Sequence, residues 1–162
     1  MIRQSRAVND IQTVVKKYLE SFQTASPWDR WTIINGYPST EIHELQSVLI
    51  FIMPPRYLPD GVRQQGGNIE LARWVLRIGV WDSRMSGGVE EIGIAQSQIL
   101  YVFRNKESVK DATFDITTDA AYTATTFQAQ GLRIEKIEGP FEIIKNVDTN
   151  EFRYEFDLYL KG

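Results

Sequence analysis

The sequence predicts an α+β fold: a mostly antiparallel sheet packed by an N-terminal helix and a central helix. Three observations lead there. Two stretches place apolar residues at helical spacing. Two others alternate apolar and polar residues strictly, as in strands with one face on a core. At 162 residues with 43% apolar and 24% charged side chains, the chain is expected to form one domain with a sizeable core, spanning 1–162.

The first helix runs from Val8, with Ile11, Val15, Tyr18, Leu19 and Phe22 on one face. Asn9 or Asp10 suits its N-terminus, Lys16 and Lys17 suit its C-terminal dipole, and Ala25-Ser26-Pro27 ends it. Trp31–Ile34 reads as a short strand before the turn dipeptides Asn35-Gly36 and Tyr37-Pro38. Ser47–Met53 is apolar without alternation, the pattern of a strand buried on both faces, and Pro54-Pro55 stops it. Residues 54–70, with three prolines and three glycines, are expected to form a long loop.

Leu71–Asp82 is a strand with Trp74, Leu76, Ile78 and Val80 on one face and Arg73, Val75, Arg77 and Trp81 on the other. After the turn SRMSGG, a helix carries Val89, Ile92, Gln96, Ile99, Leu100 and Phe103, with Glu90-Glu91 in its first turn. The Thr- and Ala-rich stretch 106–130 reads as an extended arm or edge strand. Leu132–Glu138 alternates, Gly139-Pro140 turns, and Phe141–Lys145 forms a further strand. A turn at 146–150 leads to Glu151–Lys161, where Phe152, Tyr154, Phe156, Leu158 and Leu160 face one way and Arg153, Glu155, Asp157, Tyr159 and Lys161 the other. The expected order is α–β–β–α–β–β–β.

Composition narrows the chemistry. The absence of cysteine removes disulfides, thiol nucleophiles and thiolate metal sites, and a single histidine rules out a His-rich centre within one chain. Eighteen basic and 21 acidic residues give a net charge of −3, which disfavours gripping nucleic acid as the main task. The N-terminus lacks the apolar core of a signal peptide, and the longest apolar run, Val48–Met53, is far short of the ~20 residues of a membrane span. A cytoplasm-like compartment is the expectation.

No candidate site assembles a reactive constellation. His43 lies between Glu41 and Glu44 with no nucleophile motif, which fits a surface or satisfied histidine. Adjacent Glu90 and Glu91 point about 100° apart and cannot work as a pair. SRMSGGVEE has glycines at a helix start but neither the lysine nor the spacing of a phosphate loop. NVDTNE is too short for a calcium loop and reads as a hairpin turn. No catalytic, metal or cofactor role is therefore expected. Trp28, Trp31 and Trp81 beside Arg77 have the composition of interface anchors. Tyr57 and Arg63 in the loop, and Phe114, Tyr122 and Phe127 in the arm, join them as candidate interface residues.

The helix, the WTIINGYP turn, the buried strand ending in PP, the strand ARWVLRIGVWDS running into GGVEEIGIAQSQILYVF, and the final hairpin GPFEIIKNVDTNEFRYEFDLYLKG together set a pattern. It resembles that of tail terminator (tail-completion, neck) proteins of long-tailed bacteriophages. The resemblance implies a non-catalytic virion subunit, assembled in the host cytoplasm. It would form a hexameric ring that caps the tail tube and meets the head-side connector, with the sheath as a further neighbour where present. DNA would pass through the lumen without specific binding, and the loop 54–70 and arm 106–130 would contact neighbouring rings. The alternatives are another connector, tube or sheath-associated subunit, a small nucleic-acid-binding module using Trp31, Trp81 and Arg77, and an enzyme using His43.

Overall fold

The computed structural model describes residues 8–36, 48–58, 64–65, 68–69, 73–82, 88–105, 114–115, 124–127, 132–146 and 151–161. Two helices, α1 (Val8–Glu20) and α2 (Gly88–Arg104), lie on one face of a six-stranded sheet. Its strands are β1 (Thr32–Asn35), β2 (Val48–Ile52), β3 (Arg56–Leu58), β6 (Arg73–Asp82), β9 (Arg133–Asn146) and β10 (Glu151–Lys161). Their spatial order is β1-β2-β6-β10-β9, with β3 also paired to β6. Every pairing is antiparallel except β1 with β2. The predicted α+β class, a mostly antiparallel sheet packed by two helices, is the observed one.

The core follows the two periodicities. Ile11, Val15, Tyr18 and Leu19 of α1, joined by Val14, pack with Ile92, Ala95, Ile99, Val102 and Phe103 of α2. Beneath them lie Trp74, Leu76, Ile78 and Val80 of β6 and Phe156, Leu158 and Leu160 of β10, the faces that alternation assigns to the interior. β2 is buried at all five positions, as its unbroken apolar run requires.

Three segments differ from their sequence reading. The stretch 54–70 is not loop throughout: β3 resumes the line of β2 along β6, and two-residue strands β4 (Gln64–Gln65) and β5 (Asn68–Ile69) pair with each other. The interruption between β2 and β3 falls at Pro54-Pro55, which have no N–H to donate; Met53 N–H makes the last bond before them, to Arg77 O at 2.9 Å. Gly139-Pro140 is not a turn between two strands. β9 runs through it, and the two residues oppose the single Phe156 of β10, making a bulge. Glycine suits the position because its φ is +121° and a Cβ there would lie 2.8 Å from Glu155 O. The stretch 106–130 contains a short pair, β7 (Phe114–Asp115) with β8 (Ala124–Thr125). It then anchors in the core through Phe127, which is 2% exposed and meets the Tyr18 ring edge-on at 4.7 Å.

Tyr18 joins the two helices chemically as well as by packing. Its hydroxyl donates to the carbonyl of Val102 in the last turn of α2, where carbonyls look beyond the helix for donors. Burial among Phe22, Phe103 and Phe127 pushes the phenol pKa above its ordinary 10.0. The folded state therefore holds this proton after the unfolded chain has released it, and stability is lost as pH rises above about 10. Tyr18→Phe is expected to lower stability by about 1 kcal/mol at pH 7. It should also flatten the alkaline decline by up to ~1.4 kcal/mol per pH unit, measured by urea unfolding between pH 8 and 11.

Candidate interaction surfaces

The second face of the sheet carries neither helix. Register pairs define it: Leu49↔Trp81, Phe51↔Gly79, Arg77↔Asp157, Arg153↔Trp81 and Glu155↔Phe141. Leu49, Phe51 and Trp81 form a small apolar cluster there, with Ile34 and Met53 against it. The Phe51 ring lies over Gly79, and the Arg153 guanidinium lies 5.9 Å from the ring centroid.

Beside this cluster the face is ionic. Glu155 is 3% exposed and sits between two guanidiniums, with Arg77 Nε at 3.4 Å and Arg153 Nε at 3.2 Å. Arg77 also approaches Asp157 Oδ1 at 3.5 Å. Toward β9, Lys136 pairs with Glu138 at 2.9 Å and lies over the Tyr159 ring at 4.5 Å. That contact lifts the lysine pKa and lowers the carboxyl of Glu138. Arg73 binds Glu135 through Nε and Nη2 in the forked geometry suited to a carboxylate.

The residues singled out from sequence divide sharply. Trp28 and Trp31 are 4% and 3% exposed. They stack edge-on at 5.1 Å, and both indoles donate to α2, Trp28 to Gln98 at 3.1 Å and Trp31 to Glu91 at 2.9 Å. Arg30 adds an ion pair to the same Glu91 oxygen at 2.9 Å. Burial thus gives Trp28, Trp31, Trp81 and Phe127, expected as interface residues, packing roles inside one chain. Arg77 does lie on the helix-free face, neutralised by its acids. Tyr57 is exposed and packs edge-on against Trp74 at 5.3 Å on the helix side. Phe114 belongs to β7, and its side chain lies outside the described residues, as do Arg63, Tyr122 and His43.

Two exposed aromatics escaped the sequence reading: Phe141, beside the bulge of β9, and Tyr101, on the outer side of α2. For Phe141 the signal was present in the alternation of the final hairpin, but reading Gly139-Pro140 as a turn concealed its pairing with Glu155. The sheet also ends in unlike edges. β1 is four residues long and parallel to its neighbour, while β9 is 14 residues long and antiparallel to its own. Among the described residues nothing pairs with the outer side of either strand.

Among the described residues no helix is long and apolar enough to cross a membrane, and no three His, Cys, Asp or Glu side chains are grouped to hold a metal ion. No protein-family model and no curated protein sequence matches the chain.

Proposed function

We propose that this chain is a ring-forming structural subunit of a long-tailed bacteriophage, a tail terminator that caps the tail tube and joins it to the head-side connector. The observation that carries the reading is the pair of unlike sheet edges on one helix-backed subunit. A closed ring of identical subunits needs a heterologous contact, in which one surface meets a different surface of its neighbour. Sheet edges meet by strand addition, and a bare edge as long as β9 is a liability unless something covers it. Phe141, 45% exposed next to the bulge, supplies an apolar anchor at that edge. The sequence pattern, which resembles that of the terminator family, supports a cap over the other ring-forming tail subunits.

Light scattering and negative-stain imaging of the purified protein test the reading. The expected result is a closed ring, hexameric in keeping with the resemblance, that binds the end of tail tubes. Phe141→Asp is expected to yield folded monomers, because substitution of an exposed side chain changes monomer stability by about 0.5 kcal/mol or less. Stacked or helical polymers would point to a tube or connector subunit instead. A monomer that never forms rings, even with tail tubes present, would overturn the proposal. Deleting the whole stretch 106–130 is a poor test, since it takes Phe127 out of the core.

A further inference from the structure

The charges of the helix-free face are unevenly distributed. Arg133 pairs in register with Lys161, and Lys161 with Arg73, so three cations stand in one row across β9, β10 and β6. The next row on the same face runs Lys136, Tyr159, Val75, Arg56 across β9, β10, β6 and β3. From strand spacing and rise, the two rows cover a patch about 14 Å by 7 Å. Among the described residues, five basic ones fall within it, against two acids, Glu135 on Arg73 and Glu138 on Lys136. The patch thus has a positive excess in a chain whose net charge is −3.

Like charges directly opposite one another on a sheet are destabilising. Here Arg133 and Arg56 are exposed, and Arg73 and Lys136 remain 42% and 53% exposed despite their acid partners. The positive field is shared across the rows: the charge of Arg73 opposes the rise in the Lys136 pKa that Glu138 causes. A row of cations retained at such a cost, its side chains reaching solvent around the buried Val75, matches a partner that brings closely spaced negative charge without demanding a shaped pocket.

We propose that Arg56, Arg73, Arg133, Lys136 and Lys161 form a contact surface for the phosphate backbone of a nucleic acid, without reading its sequence. A phosphate chain offers regularly spaced negative charge along a line, which suits two parallel rows of cations. No shape-matched base contact is involved, so the interaction is weak and governed by salt. It rests on the charge of this face alone and holds whether or not the chain forms a ring.

Fluorescence anisotropy with the full chain tests it, using labelled mixed-sequence 20-mers, single-stranded and duplex, and labelled poly-glutamate as the competing class of polyanion. Binding is expected to both DNAs at 20 mM salt, independent of sequence. With three phosphates neutralised, affinity should fall roughly 500-fold for the duplex and roughly 130-fold for the single strand between 20 and 200 mM salt. Arg133→Glu/Lys161→Glu should weaken binding at least tenfold with an unchanged circular dichroism spectrum. Arg104→Glu, an exposed change at the end of α2, should alter it less than twofold. No binding at 20 mM salt, equal binding by the double variant, or tighter binding of poly-glutamate than of DNA would each overturn the proposal. Using the monomeric fraction keeps this outcome separate from that of the ring experiment.

Discussion

Gly79→Ala is expected to destabilise the protein by about 2–3 kcal/mol, the upper range for overfilling a packed site. A Cβ on Gly79 would lie 1.9 Å from Phe51 Cζ, with the two Cε atoms at 2.3 and 2.4 Å. The ring occupies the space that a side chain would need, directly across the β2–β6 pairing. Phe51 is 0% exposed and the neighbouring Leu49 and Trp81 are buried, so the ring has little room to retreat. Coupling gives the decisive measurement. In a Phe51→Leu background the same Gly79→Ala change should cost at least 1 kcal/mol less, because the smaller side chain vacates the Cβ position. Urea unfolding of the four proteins reads this directly, and strictly additive effects would refute the close-approach explanation.

Glu155→Ala is expected to cost about 2–3 kcal/mol, seen as a fall of roughly 1 M or more in the urea midpoint. Removing a buried carboxylate leaves the guanidiniums of Arg77 and Arg153 facing each other without their shared counter-charge. The figure is set below the ~3–5 kcal/mol of a fully buried pair because the Arg77 side chain is 41% exposed and water screens it. Glu155→Gln keeps the shape and should cost less than the alanine change. A second substitution, Arg77→Ala, should reduce the penalty of Glu155→Ala, since one of the stranded cations is then gone. An unchanged midpoint in Glu155→Ala would show the ionic cluster to be energetically idle.

Much of this fold was legible in the chain itself because its main elements are encoded locally. Two helices, the buried run at β2 and the alternating strands β6 and β10 announce themselves through periods of 3.6 and 2, which depend only on backbone geometry. The faces of β6 and β10 were legible for the same reason. The bulge at Gly139-Pro140 was not, because the same dipeptide marks a turn or a bulge depending on whether a neighbouring strand continues past it. Here β10 does continue, and holds β9 in one piece.

The candidate interface residues show the sharper limit. Large aromatics beside polar residues have the same composition whether they anchor a partner or close the chain's own core. For Trp28 and Trp31 the choice is made by α2, which supplies Gln98 and Glu91 from 70 and 60 residues away. For Phe127 it is made by Tyr18. A glycine within a strand signals some close approach, but only the β2–β6 register names Phe51 as the group that approaches Gly79.

By itself, the sequence determined the α+β class, the two helices, the faces of the long strands, and the lack of thiol chemistry, since each follows from composition or from spacing along the chain. Tertiary structure alone decided that both helices cover the same face of the sheet. It also decided that β1 lies parallel to β2, that three of the tryptophans singled out are interior, and that five cations from four strands share one patch. These are contacts between residues distant in sequence. A net charge of −3 sums over every surface, and only the strand register reveals where the positive part has gathered.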